Sequence, residues 1–428
     1  MAKIRRPEPG PGPAAPHFST RTASVVVPRA WLIVVTILLV IPWLVVGAIY
    51  VHDDDGAAAD ATPAGSGVEV TSGPWGQLVT TPIVISPPAE YVPRNWGPLS
   101  PALWHVPVSG AAELRSFLAS VGLETGDIAR LESTARPHPQ AGGVVLQPET
   151  ELVQRMAPAA RARLYERMGG SHLNADQITA YRFFGASPES WIGASVSPRT
   201  LDLVKPLIYR RGEFMYFADV EAIRPQIEDP AELQRLAKAL YRQATLLVSV
   251  RIDRPADVPA LAEYWGRGGR RTDIRPLLES IAEGGAGRSI DVSHLLPTMA
   301  REHLYRYPKV TVADHEKPIL ANCLWTALNF FQPTPDDRFL DVEYALTHLK
   351  RDYYIVHDQY QLGDIVVFSD RDGNLFHAAV YVADDLVFGK NGITPMAPWS
   401  ILPIERIKGH YVDNSQDWQV TFHRRMGL

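Results

Sequence analysis

The chain has 428 residues, with 42 basic against 47 acidic side chains for a net charge of −5, 36 prolines, 31 glycines and one cysteine. At 46% apolar and 21% charged it is neither disordered throughout nor collagen-like, and its length suits two or three domains. The near-neutral balance leaves no whole-chain field to draw in nucleic acid, and a lone Cys323 excludes an intrachain disulfide, a cysteine-based zinc site and an iron–sulfur cluster.

Residues 1–30 hold Lys3, Arg5, Arg6, Arg21 and Arg29 against Glu8 alone, and read as a basic, disordered cytoplasmic tail. Trp31 to Val51 carries no charge and matches the ~20 residues that cross a bilayer, so a single transmembrane helix is expected over 31–51. Beyond it, residues 52–93 are acidic and lack Lys and Arg. The positive-inside rule then places the N-terminus in the cytoplasm and the bulk of the chain outside an inner or cytoplasmic membrane. A cleaved signal peptide is the alternative, and the length of the apolar run weighs against it. Residues 52–95, rich in Pro, Gly and Ala, read as an extended linker.

Residues 96–308 form the next unit, an α-rich domain with a minor sheet component. Apolar periodicity predicts helices over Ala111–Val121, Glu149–Met168, Pro198–Arg211 and Glu232–Gln243, and the β-branched run Thr245–Ile252 predicts a strand. Gly266 to Arg271 resembles a phosphate loop only in its glycines, because no Lys-Ser/Thr follows, and reads as a basic surface turn. Tyr264, Trp265, Tyr305 and Tyr307 read as core aromatics rather than as a glycan groove. No HExxH or close His pair occurs, so no metal and no cofactor is expected.

In residues 309–428, Leu324, Ala327, Leu328 and Phe331 mark one buried helical face, with Asn322 as its N-cap. Cys323 then falls in the first turn, where free N–H groups and the helix dipole favour a thiolate; a buried structural cysteine is the alternative. Asp341–Arg351 reads as a second helix. Strands follow over Gln361–Phe368, Phe376–Val382 and Leu386–Gly392, separated by turns at Ser369–Asn374 and Ala383–Asp385, an antiparallel meander with His377 at the start of its central strand. Asp364, at a strand start, reads as a turn hydrogen-bonding group.

The succession Asn-Cys-Leu-Trp-Thr-Ala, Leu-Gly-Asp-Ile-Val-Val-Phe and His-Ala-Ala-Val-Tyr-Val resembles the NlpC-type cysteine peptidases, small papain-like α+β domains that cut amide bonds of bacterial cell-wall peptides. The resemblance covers residues 309–428 and implies a nucleophile helix packed on an antiparallel sheet. It assigns Cys323 as nucleophile and His377 as general base. The third group, which orients the imidazole, falls at the usual offset on Gly389, which has no side chain. Asn391, two residues on, is the expected substitute, preferred to Lys390 because a cation opposes imidazolium formation. The implied reaction is thiolate–imidazolium attack on an amide of peptidoglycan stem peptides, with the Cys323 N–H in the oxyanion hole.

The full expectation is therefore an α+β chain with one transmembrane helix, an α-rich middle domain and a C-terminal NlpC-like domain, acting on amide-bearing substrates of the cell envelope. Two alternatives stay open: an amidase or acyltransferase of the same fold acting on lipid or small-molecule amides, and a non-catalytic envelope scaffold. No partner is assigned to the middle domain.

Overall fold

The computed structural model describes residues 68–92, 101–169, 171–184, 187–212, 214–254, 257–285, 287–309, 321–411 and 418–428. All of them belong to one compact unit. The expected fold class is corrected at its N-terminal element. Among the described residues no helix is long and apolar enough to cross a membrane; the longest has 13 residues, or about 20 Å against the ~30 Å of a bilayer core. The expected span Trp31–Val51 and the basic tail before it lie outside the described residues. What the structure describes is a mixed α+β chain.

The expected linker holds a hairpin instead. Strands β1 (Glu69–Gly73) and β2 (Gly76–Ile85) are joined by a turn in which Gly76 takes φ +92°, a conformation that favours glycine. The run Gln-Leu-Val-Thr-Thr-Pro-Ile-Val-Ile is β-branched and alternating, and its order outweighs the Pro/Gly-rich surroundings. It pairs in the structure with the expected strand from Gln77↔Arg251 to Ile85↔Gln243.

Helices and short strands then alternate. Strands β3 (Trp104–Val106), β4 (Arg136–Pro137) and β5 (Val144–Leu146) form one small sheet, and β6 (Tyr181–Phe184), β7 (Tyr209–Arg211) and β8 (Phe214–Phe217) another. Helices α1 (Ala111–Ser120), α2 (Thr125–Thr134), α3 (Pro158–Met168) and α4 (Pro230–Leu240) pack around them. The helix expected over 149–168 is two, Thr150–Arg155 and α3, because Pro158 starts a fresh helix at its first position. The one expected over 198–211 stops at Val204, and Pro206 leads through a single tight turn into β7. These elements share one core from Trp104 to Leu240.

Strand β9 (Gln243–Ile252) and β10 (Arg288–Asp291) complete the sheet β1-β2-β9-β10. Helices α5 (Val258–Trp265) and α6 (Arg271–Glu283) cover it. Their core is continuous with that of the C-terminal elements, from Leu246 through Leu304 to Ile401. Tyr264 and Trp265 are buried in it, while Tyr305 and Tyr307 donate to the carbonyls of Leu246 and Ile85. The glycine-rich turn is tied inward, with Arg270 donating to the carbonyls of Leu295 and Trp265 at 2.9 and 2.7 Å.

The C-terminal sheet is antiparallel throughout, in the order β11 (Tyr353–Val356), β16 (Trp418–Arg425), β12 (Ile365–Asp370), β13 (Leu375–Ala383), β14 (Leu386–Lys390), β15 (Trp399–Pro403). Strands β12, β13 and β14 are buried almost end to end, as expected of a sheet covered on both faces. Ile365, Val367, Ala378, Val380 and Phe388 meet helix α7 (Cys323–Leu328) and α8 (Val342–Asp352) on one side. Val366, Phe368, Ala379, Tyr381 and Val387 form a separate cluster on the other, with Ile407 of helix α9 (Ile404–Tyr411). Thr245 of β9 joins the two large sheets, its hydroxyl exchanging hydrogen bonds of 2.9 and 3.1 Å with the Ile401 backbone.

Candidate functional site

Asn322 caps α7 by accepting from the Trp325 N–H at 2.8 Å. The helix ends at Leu328, short of Phe331, because Asn329 is fully buried and captures the next loop through both the N–H and the C=O of Asp336. A six-residue helix has little macrodipole to offer. The Trp399 indole donates to Thr326 at 3.0 Å and fastens the helix to β15.

Cys323 is half-buried at the first turn and packs on the core side of the sheet. Desolvation pushes its pKa up; the backbone groups of Ala378, Leu324 and Cys323 itself and the charge of Lys390 act the other way without reversing it. The helix start was expected to favour a thiolate, and burial outweighs it.

Lys390, at the end of β14, is fully buried. Its ammonium donates to the carbonyls of Gly392 at 2.6 Å and Thr394 at 3.2 Å and lies 5.7 Å from the Trp399 ring centroid. Burial brings its pKa down to about 8, partly offset by Cys323. Passed over on sequence grounds as third group, this lysine shares the sheet side of Cys323: its strand neighbour Phe388 and its cross-strand partner Trp399 both belong to that core. A lysine closing the apolar run Leu-Val-Phe-Gly was the signal for it.

His377 does not join them. It pairs in register with Phe368, their ring centroids 5.6 Å apart, and it alternates with Ala378 and Val380, which face Cys323. Its ring therefore points to the far side of the sheet. Complete burial lowers its pKa to about 3, which disfavours the imidazolium half of a thiolate–imidazolium pair. Gly389 is on the same far side, where an added Cβ would touch the Ala379 Cβ at 3.4 Å.

Asn391 does not orient His377 through its carboxamide oxygen, which is buried without a hydrogen-bond partner. The residue lines a cleft with Arg242, Ser400 and Arg406. Asp364 accepts from the Gln361 N–H at 2.8 Å, the expected turn bond, and adds a two-pronged ion pair with Arg424 at 2.8 and 2.7 Å. On the Cys323 side of the sheet the aromatic wall includes a histidine outside the motifs around Cys323 and His377. His303 lies 4.5 Å from the Trp399 ring and 5.7 Å from that of Trp325, centroid to centroid, its Nδ1 2.8 Å from the Met299 carbonyl.

Among the described residues no group of three or more His, Cys, Asp and Glu is placed to hold a metal ion. Compared with known protein families, with curated proteins and with solved structures, the chain matches none.

Proposed function

We propose that residues 321–428 carry a thiol amidohydrolase site centred on Cys323, with Lys390 in place of a histidine as its charged partner. The observation that carries this reading is the placement of Cys323 and the buried Lys390 on one side of the sheet, against the same core, where each charge favours the charged form of the other against the opposing effect of burial. The neutral amine form of Lys390 takes the Cys323 proton, the thiolate adds to an amide carbonyl, and the tetrahedral intermediate expels the amine, which takes its proton from the Lys390 ammonium so formed. With a pKa of about 8, that ammonium is a competent acid near neutral pH. Water then hydrolyses the thioester, and the Lys390 amine accepts the proton released. The substrate class is that of the motifs around Cys323 and His377, amide-linked peptides such as the stems of a bacterial wall.

Two measurements test this. The chain incubated with purified wall fragments is expected to release new amines, and Cys323→Ala to release none. Iodoacetamide should alkylate Cys323 several-fold more slowly at pH 8 in Lys390→Met than in the wild type, since removing a neighbouring cation raises a thiol pKa. Amine release that survives Cys323→Ala would overturn the nucleophile, and unchanged alkylation the role of Lys390.

A second reading is favoured by the orientation of His377: a papain-like frame kept as a scaffold without catalysis. It expects no amine release from either form, with alkylation of Cys323 still sensitive to Lys390.

A further inference from the structure

Far from Cys323 in the sequence, one imidazole links a serine hydroxyl to a backbone carbonyl. The Ser171 Oγ lies 2.8 Å from His105 Nδ1, and His105 Nε2 lies 2.7 Å from the Gly142 carbonyl oxygen. A carbonyl only accepts, so Nε2 carries a proton. In the neutral ring Nδ1 is then an acceptor, and the Ser171 hydroxyl donates to it.

Three pieces of backbone hold this pair in place. His105 is in the middle of β3 and buried. Buried Asn174 clamps the loop that carries Ser171 onto it: its Oδ1 accepts from the His105 N–H at 2.8 Å, and its Nδ2 donates to the carbonyls of His105 at 2.8 Å and Met168 at 2.7 Å. On the other side of the ring Gly142 and Gly143 take φ +68° and +77°, and a Cβ at Gly143 would stand 2.8 Å from Nε2, so glycine lets the chain reach the imidazole. The His138 ring meets that of His105 edge to face, 5.5 Å between centroids, with its Nδ1 accepting from the N–H groups of Ala141 at 2.9 Å and Gln140 at 3.3 Å. Ser171 itself is only half-buried. The Leu173 N–H donates to its Oγ at 3.4 Å, and the Leu173 side chain is exposed.

A hydroxyl that donates to an imidazole whose other nitrogen is anchored is an activated nucleophile. A neutral carbonyl stabilises an imidazolium less than a carboxylate does, so the leaving group has to depart easily, as the alcohol of an ester does and the amine of an amide does not. We propose that Ser171 and His105 hydrolyse esters with a small apolar acyl group, which lies against Leu173. As Oγ bonds to the ester carbonyl carbon its proton passes to Nδ1; the ester C–O bond then breaks, and the departing alcohol takes that proton. Water adds to the acyl-serine and gives a proton to Nδ1, which returns it to Oγ as the carboxylic acid leaves. No step involves Cys323, so this activity stands or falls separately from the one proposed there.

The test uses the full chain carrying Cys323→Ala, so that no thiol is acylated. A fluorophosphonate probe, which loses fluoride as it bonds to a nucleophilic Oγ, is expected on peptide mapping to mark Ser171 at least about tenfold faster than exposed Ser133. Turnover of p-nitrophenyl acetate should fall about 100-fold in Ser171→Ala, and p-nitroacetanilide should not be cleaved. His105→Gln, which keeps a donor for the Gly142 carbonyl, should slow labelling of Ser171 about 100-fold. Labelling of Ser171 no faster than of Ser133, or ester turnover that Ser171→Ala leaves unchanged, overturns the site whether or not the histidine variant folds. Cleavage of the anilide as fast as the ester overturns the substrate class.

Discussion

Phe368 and His377 face each other across β12 and β13, in register and with ring centroids 5.6 Å apart, on the side of the sheet away from Cys323. The imidazole is fully buried there, and burial favours its neutral form.

That preference makes His377 an acid-labile element. Its pKa of about 3 in the folded chain lies below the ordinary 6.5, so between those values the unfolded chain binds the extra proton. Stability is therefore full above pH 6.5 and declines as the pH falls toward 3, by an amount on the order of 5 kcal/mol. Urea unfolding of wild type and His377→Leu at pH 7 and pH 4 checks this. The variant is expected to lose much less stability over that interval, and equal losses would show that His377 does not carry the effect.

Lys390 acts in the alkaline range with a different reference. Its folded pKa of about 8 lies below the ordinary 10.5. Below pH 8 both states are protonated and the cost of burying the ammonium is present in full; as the pH rises from 8 to 10.5 the folded form sheds its proton and the cost is relieved. In a Cys323→Ala background, where the thiol no longer titrates, the Lys390 chain should gain up to about 3 kcal/mol relative to Lys390→Met across that interval. Parallel stability curves for the two would mean that the ammonium is not desolvated.

Gly363 and Phe331 make a tight contact at the entry to β12. Gly363 has φ +92°, and a Cβ there would sit 2.0 Å from Phe331 Cε2. A Cβ added at Gly268 would meet the same ring, 2.4 Å from Cδ1. Gly363→Ala combines left-handed strain with a clash, and is expected to cost more than about 2 kcal/mol. Adding Phe331→Leu should recover part of the loss. A Gly363→Ala variant that melts with the wild type would show that the ring moves freely.

Much of the C-terminal unit was legible in the sequence because its signals are local. Asn322 names the helix start, Leu-Gly-Asp opens a strand, and Asp384, at φ +57°, marks the turn between β13 and β14. The face taken by His377 was not legible, because it depends on register. Phe368 pairs with His377 but Ser369 with Leu375, leaving Phe376 as an extra residue, and one such bulge reverses which residues face the helix. The burial of Lys390 and its two carbonyl partners follow from the loop at 391–394, which residue type does not encode. The β1–β2 hairpin was hidden by composition, since its ladder is completed by β9 more than 150 residues away.

In the first core, Arg161 and Asp219 form a buried ion pair, Nε to Oδ2 3.3 Å. The Tyr165 hydroxyl donates to the other carboxylate oxygen at 2.5 Å, and Arg161 also donates to the carbonyls of Pro206, at 2.7 Å, and Val153. Arg161 thus ties α3 to the turn at 205–207 and to the helix before it, with Asp219 compensating its charge. Removing the carboxylate leaves the guanidinium buried without its counter-ion, which costs about 3–5 kcal/mol. Asp219→Ala is expected to lower the unfolding midpoint in guanidinium chloride accordingly. Replacing both partners, as Arg161→Met with Asp219→Leu, removes the stranded charge and should recover most of that loss. If the double variant is as unstable as Asp219→Ala, the carbonyl contacts of Arg161 carry the stability and the ion pair does not.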